Sequence, residues 1–193
     1  ALLASELQRL GSGVAGFAVT ARFATRNPAH EMRARDIIAA ATGLPVTCGH
    51  ELSARLNGPK RALTAVLNAR LIGKIATLVA ACERHLAARG IAVPLMVVRG
   101  DGALISAQMV RERPIETILS GPAASLVGAH WLTGEQTALV SDIGGTTTDV
   151  ALLKHGLPEI DAEGALVGGH RTMVEAVAMR TTGLGGDSEL HLQ

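Results

Sequence analysis

Three stretches of this 193-residue sequence predict an α/β fold of mixed sheets flanked by helices. Val14 to Thr20, Asn27 to Ala41 and Pro45 to Cys48 read as strand, helix and strand, a unit whose two strands run parallel. Asn57 to Arg89 reads as one long helix. Ala138-Leu139-Val140 and Val150-Ala151-Leu152-Leu153 are two short apolar runs around a glycine- and threonine-rich bend, which is a hairpin.

Each element has a local cause. Ala1 to Leu10 places Leu2, Leu3, Leu7 and Leu10 on one face and reads as the end of a helix stopped by Gly11. Asn27 is a good N-cap, Pro28 suits the first helical position, and Glu31 puts an acid near the positive end of the helix; Gly43 closes it. Pro45 is allowed at the first position of the short strand after it. In the long helix Leu63, Leu67, Leu71, Ile75, Leu78, Cys82 and Leu86 step at three or four residues and form the expected buried stripe, with Lys60, Arg61 and Arg70 on the solvated face. At about 1.5 Å per residue this helix is roughly 45 Å long. Val93 to Val98 is another strand, and Arg99-Gly100-Asp101-Gly102 a turn. Ser120-Gly121-Pro122 opens a helix to about Trp131. A short strand near Glu159-Ile160 and a strand within Met173 to Met179 follow, and no repeat is visible.

Composition excludes several function classes. Only 2% of the residues are aromatic, so the core is expected to be built from Ala, Leu, Val and Ile, and the scarcity argues against a base-stacking surface. The formal net charge of +1 gives no electrostatic drive toward nucleic acid or a membrane surface. The longest apolar stretch, Leu71 to Cys82, contains Gly73 and Lys74 and is too short for a bilayer. Cys48 and Cys82 lack metal spacing and read as small buried hydrophobes in a reducing, cytoplasmic setting. The opening residues lack the basic–apolar–small pattern of a signal peptide, so none is expected here. It also lacks a first Met and stops just past a glycine-rich motif, so a segment of a longer protein is expected.

The chemistry sits at Asp142-Ile143-Gly144-Gly145-Thr146-Thr147-Thr148-Asp149. Gly144 and Gly145 can present bare amide N–H groups to a phosphate. The hydroxyls of Thr146, Thr147 and Thr148 can donate to phosphate oxygens, and Asp142 and Asp149 can hold a hydrated divalent cation against them. An ordinary tight turn needs one or two glycines, but not three threonines with a carboxylate on each side. A second glycine-rich loop, Gly183-Leu184-Gly185-Gly186-Asp187-Ser188, offers further N–H groups, a hydroxyl and a carboxylate. The seven histidines show no paired metal spacing; His50 and His170 stand in loop-like company. Ser120 reads as a helix cap, since no base stands near it.

These motifs resemble the N-methylhydantoinase A, 5-oxoprolinase and acetone carboxylase family, within the acetate and sugar kinase, actin and heat-shock chaperone ATPase superfamily. The residues that carry the resemblance are Asn27-Pro28-Ala29-His30-Glu31, Gly49-His50-Glu51-Leu52-Ser53, Arg99-Gly100-Asp101-Gly102 and Leu119-Ser120-Gly121-Pro122-Ala123-Ala124-Ser125. The hairpin, Val167-Gly168-Gly169 and Gly183 to Ser188 complete it, in the family's order and along essentially the whole chain. The resemblance implies an actin-like (ribonuclease H-like) ATPase fold, here incomplete. Residues 1–115 would be the later part of a first lobe with the long connecting helix, and 116–193 the beginning of a second.

The implied activity is ATP-dependent opening of a cyclic amide, of hydantoin or 5-oxoproline type, by carbonyl activation. By the same resemblance Gly144, Gly145, Thr146, Thr147, Thr148, Gly185, Gly186, Asp187 and Ser188 would bind ATP. Asp142 and Asp149 would be catalytic and would hold Mg²⁺ or Mn²⁺. A second subunit or domain is the implied partner, and a homo-oligomer is compatible. One departure matters: the family's other glycine–threonine hairpin, in the first lobe, does not occur in these 193 residues. The chain alone is therefore expected to be inactive. A carboxylase or small-molecule kinase subunit with the same loop, or a nucleotide-gated module without chemistry, are the competing readings.

Overall fold

The computed structural model of the chain describes residues 3, 5–7, 13–189 and 191. Leu3 and Ser5 to Leu7 are helical, and the rest of the helix expected over residues 1–10 lies outside the described residues. The chain forms two compact units, each of mixed α/β structure as expected. Unit 1 comprises Ala1–Val97, Ile105–Glu116 and Leu166–Val174; unit 2 comprises Val98–Leu104, Thr117–Ala165 and Glu175–Gln193.

Unit 1 is built on the expected strand–helix–strand. Strands β1 (Phe17–Val19) and β2 (Val46–Cys48) pair in parallel, with Phe17 opposite Val46 and Val19 opposite Cys48. Between them runs α1 (Ala29–Thr42). Its N-cap is Pro28, one residue later than expected and without a side-chain capping bond, and Asn27 just before it accepts the Ala29 N–H at 3.1 Å in a local turn. Gly43 ends the helix in the left-handed region (φ 67°), its N–H donating to the Ala39 carbonyl. A single turn, α2 (Gly49–Leu52), follows β2 and leads to α3 (Gly58–Ala88), 31 residues long. Asn57 caps α3 by accepting the Lys60 N–H at 3.1 Å.

The buried face of α3 is not the leucine stripe. Arg61, Thr64, Ala65, Asn68 and Val79 are buried, while Leu78 is 58% exposed and Cys82 is exposed. The physical reason is close approach: the N-terminal half lies on β1 and β2, where short side chains fit and their polar atoms find partners. Asn68 donates to Thr47 Oγ1 (3.0 Å) and the Glu112 carbonyl (3.1 Å) and accepts the Ile115 N–H (3.1 Å). Thr64 donates to the Lys60 carbonyl at 2.8 Å and accepts the Met173 N–H at 2.9 Å. By length and composition alone α3 could cross a membrane. Its inward face, however, carries a fixed polar network, which is the signature of a helix seated on a sheet.

The second half of α3 meets α4 (Ala107–Glu112). Val79 clusters with Ile105, Ala107 and Val110, backed by Ile75, Leu95 and Val97. Strands β3 (Met96–Val98) and β4 (Leu104–Ser106) pair as a hairpin within which the chain passes from one unit to the other.

Unit 2 holds the central hairpin. Strands β5 (Ala138–Ile143) and β6 (Thr148–Lys154) are antiparallel, and β12 (Met179–Thr182) adds to the other side of β6. The end of β6 also pairs β7 (Leu157–Pro158). Helix α5 (Ser120–Thr133) packs on this sheet through Ala123 and Leu126, which cluster with Ala151 and Val177 and with Leu119, Val140 and Met179. Small strands complete the two units: β8 (Ile160–Asp161) with β11 (Ala176–Val177) in unit 2, and β9 (Leu166–Val167) with β10 (His170–Arg171) in unit 1.

The two thiols part company, against the sequence expectation that both are buried. Cys48 is fully buried, and burial, reinforced by the neighbouring Glu51 carboxylate, pushes its pKa up to about 11. Cys82 is exposed on α3. Because only the thiolate reacts, Cys48 stays protonated and shielded through neutral and mildly alkaline pH. A thiol reagent at pH 8 is expected to label one cysteine in the native protein and two after denaturation. Two fast equivalents in the native protein would contradict the burial of Cys48.

Candidate nucleotide-phosphate site

The hairpin register sets the site. Asp142 pairs directly with Asp149, and Ile143 with Thr148. Residues directly opposite on antiparallel strands project to the same face, with Cβ atoms about 4.5–5.5 Å apart. Asp142 and Asp149 therefore share the face that carries Val140 and Ala151, the one packed by α5. Like charges placed opposite each other are destabilising. Ser125 on α5 restrains one of them, its hydroxyl donating to Asp142 Oδ2 at 2.6 Å. The other, Asp149, keeps Oδ1 buried and without a hydrogen-bond partner.

The tip of the hairpin is open to an anion. Gly144 closes the bend, its N–H donating to the Thr147 carbonyl at 2.9 Å. Among the described residues no acceptor meets the backbone N–H of Gly145, Thr146 or Thr147. Three consecutive unmet amides, next to a pair of carboxylates with an orphaned buried oxygen, fit a phosphate and its divalent cation. Gly145, Thr146 and Thr147 would take the phosphate oxygens, and Asp142 and Asp149 the cation.

The second glycine loop lies against the first. The Gly186 N–H donates to the Gly144 carbonyl at 2.9 Å and the Asp187 N–H to the Gly145 carbonyl at 2.8 Å. Thr148 Oγ1 donates to the Leu184 carbonyl at 2.6 Å. Within the loop, Gly185 donates to Ser188 Oγ (2.9 Å) and Ser188 donates back to the Gly185 carbonyl (3.0 Å). The structure thus divides the sequence candidates by task. Thr148, Gly186 and Asp187 spend donors holding the loops together and Ser188 braces the second loop from within, whereas Gly145, Thr146 and Thr147 keep theirs. Gly185 is required by contact, because a Cβ there would overlap the Gly145 carbonyl oxygen of the backbone; a Cβ on Gly145 would meet only Asp187 Oδ2, at 2.5 Å, the movable end of a side chain. The Asp187 carboxylate accordingly sits over the hairpin bend.

Two arrangements were not legible in advance. Ser125 falls inside one of the resembling stretches, but its bond to Asp142 depends on how α5 crosses β5. In unit 1, Glu31 is completely buried rather than facing solvent at a helix end. Its carboxylate accepts from the Ala21 N–H (2.7 Å), the His50 N–H (2.9 Å) and His50 Nδ1 (2.6 Å). Parallel pairing of β1 with β2 brings these positions together across nineteen residues of sequence. Ligand atoms of Glu31, Cys48 and His50 lie within 4.8 Å of one another. Both oxygens of Glu31 are already engaged by N–H donors, and the Cys48 thiol donates to the Glu31 carbonyl at 3.7 Å, so the cluster is a structural tie. Asp101 is held within its own turn by Arg99 and the Ala103 N–H.

The chain is 28% identical to the caprolactamase subunit alpha of Pseudomonas jessenii over 183 residues, 93% of this chain and 26% of that protein. It is 29% identical to the acetophenone carboxylase gamma subunit of Aromatoleum aromaticum over 150 residues, 73% of this chain and 20% of that subunit. It shares the fold of a nucleotide-free acetone carboxylase structure, with a TM-score of 0.80, 24% identity, and coverage of 95% of this chain and 27% of that one. The structure of the ATP-dependent caprolactamase from Pseudomonas jessenii aligns with a TM-score of 0.75 and 26% identity over 93% of this chain and 26% of that chain. The chain thus spans about a quarter of the length of these relatives. The Hydantoinase/oxoprolinase family profile matches residues 61–193, well over half of the sequence, and the chain belongs to that family.

Proposed function

We propose that this chain forms one phosphate-binding half of an ATP-dependent enzyme that opens a cyclic amide, of hydantoin or 5-oxoproline type, by activating its carbonyl. The observation that carries the reading is the facing pair Asp142 and Asp149, with the buried free oxygen of Asp149, beside the three unmet amides of Gly145 to Thr147. A lactam carbonyl is a poor electrophile because the ring nitrogen donates into it. ATP supplies a phosphoryl group that converts the carbonyl oxygen into a leaving group, with Mg²⁺ or Mn²⁺ neutralising the charge. The chain's own work is placement. The Gly145 to Thr147 amides hold phosphate oxygens, Ser125 fixes Asp142, and the loop from Gly185 to Ser188 keeps the bend in shape. The relatives are named as subunits, alpha in one case and gamma in the other, which supports a second subunit or domain as the partner. That partner or the remaining sequence would provide the other phosphate grip.

A second reading, carboxylation of a ketone, rests on the similarity to the acetophenone carboxylase gamma subunit. Both reactions can begin with phosphate on a carbonyl or enolate oxygen. They diverge in what forms next, a C–O bond from water or a C–C bond to bicarbonate-derived carbon.

The test uses the full-length parent with its partner. Lactam hydrolysis is expected to release phosphate in step with ring-opened product, and labelled bicarbonate is expected to stay out of the product. Asp142→Asn should lower kcat by about a hundredfold or more with little change in KM for the lactam. Label in the product would transfer the assignment to the carboxylase. Steady ATP turnover by the 193-residue chain alone, abolished by Asp142→Ala, would refute the one-half reading.

A further inference from the structure

Unit 1 contains a cavity of about 560 Å³ with no part in the reading above. Its walls come from residues 20–23, which follow β1, and residues 56–62, around the start of α3. Phe23, Leu56, Pro59 and Ala62 make most of the wall apolar, and no Asp or Glu lines it. The volume is that of a small-molecule site.

The cavity wall carries an unsatisfied donor. Arg61, one of its lining residues, is only 1% exposed. Its guanidinium donates to two neutral carbonyls, Ala21 O at 3.0 Å and Arg55 O at 3.3 Å, while Nε is buried with no partner. Glu31, which accepts the Ala21 N–H, spends its carboxylate on the Ala21 and His50 donors and makes no direct bond to Arg61. A buried donor left without an acceptor is costly, and a tie between two loops would need only the Nη atoms.

Two further sources of positive potential face the same space. Arg22 lines the wall with its guanidinium carbon 5.0 Å from the Phe23 ring centroid. The positive end of the 31-residue helix α3 opens there at Gly58 and Pro59. Asn57 takes the Lys60 N–H and Pro59 has none, so among the first three helical positions the Gly58 N–H is the one left for a ligand.

We propose that this cavity binds a small organic carboxylate with an apolar body. The head is drawn to Arg61 and the start of α3, and the body lies against Phe23, Leu56 and Pro59. Inorganic phosphate fits poorly: the apolar wall offers too few donors for a doubly charged ion with three or four oxygens to satisfy.

The experiment titrates the ¹⁵N-labelled 193-residue chain with hexanoate, hexanamide and inorganic phosphate while following the Phe23 and Gly58 amide resonances. Hexanoate should shift them saturably and bind at least about tenfold tighter than hexanamide, the value of one charge-assisted hydrogen bond. Arg61→Met, and to a smaller degree Arg22→Gln, should weaken hexanoate and leave hexanamide unchanged. Equal binding of hexanoate and hexanamide, phosphate binding more tightly than hexanoate, or no saturable shift overturns the proposal. If Arg61→Met does not fold, judged by circular dichroism, Arg22→Gln and the hexanoate–hexanamide comparison still decide it.

Discussion

Replacing Glu31 with alanine is expected to remove about 3–5 kcal/mol of stability, the usual cost of leaving the partners of a buried charged group unpaired. The carboxylate collects donors from the loop after β1 and from the turn after β2, and it is carried by the helix that connects them. Without it the Ala21 and His50 N–H groups and the His50 ring lose their acceptor inside a closed space. Glu31→Gln keeps one acceptor oxygen and should fall between parent and alanine variant. Urea denaturation measures both. A loss below about 1 kcal/mol for Glu31→Ala would show that water or another acceptor takes over.

The second large effect concerns function. Gly185→Ala is expected to lower kcat/KM for ATP in the full-length parent by about a hundredfold, because about 1 Å of misplacement at a positioning element can cost that much. The added Cβ would meet the Gly145 carbonyl oxygen at 2.4 Å, and that atom is backbone, so the hairpin bend itself must shift. Gly183→Ala is the matched control, since a Cβ there meets nothing within 4 Å. Comparable losses in both variants would mean that the loop acts through its flexibility rather than its contact with the hairpin.

What could be read in the sequence was whatever depends on local pattern. The strand–helix–strand, the caps at Gly43 and Asn57 and the hairpin between Asp142 and Asp149 follow from residues within a turn or two of each other. The phase of α3 did not, because leucine spacing assumes that burial selects large apolar side chains. Against β1 and β2 the space favours Thr64, Ala65 and Asn68, and the long-range partners of Thr64 and Asn68 lie 21 to 109 residues away. The burial of Arg61 and Glu31 was illegible for a related reason: a charged side chain is read as solvated until its partners are known. The site divides along the same line. Its residue types were visible as a motif, but which donors are spent and which stay open depends on how Gly183 to Ser188 folds back.

That fold-back sets a lower limit on the length of any working piece of this protein. The carbonyls of Gly144 and Gly145 and the Thr148 hydroxyl are matched by residues 184–187, some forty positions downstream. A chain cut after β12 would keep every residue of the hairpin motif and lose what shapes it. The smallest segment able to present an ordered bend must therefore run through Ser188, and the octapeptide on its own is only half of the unit.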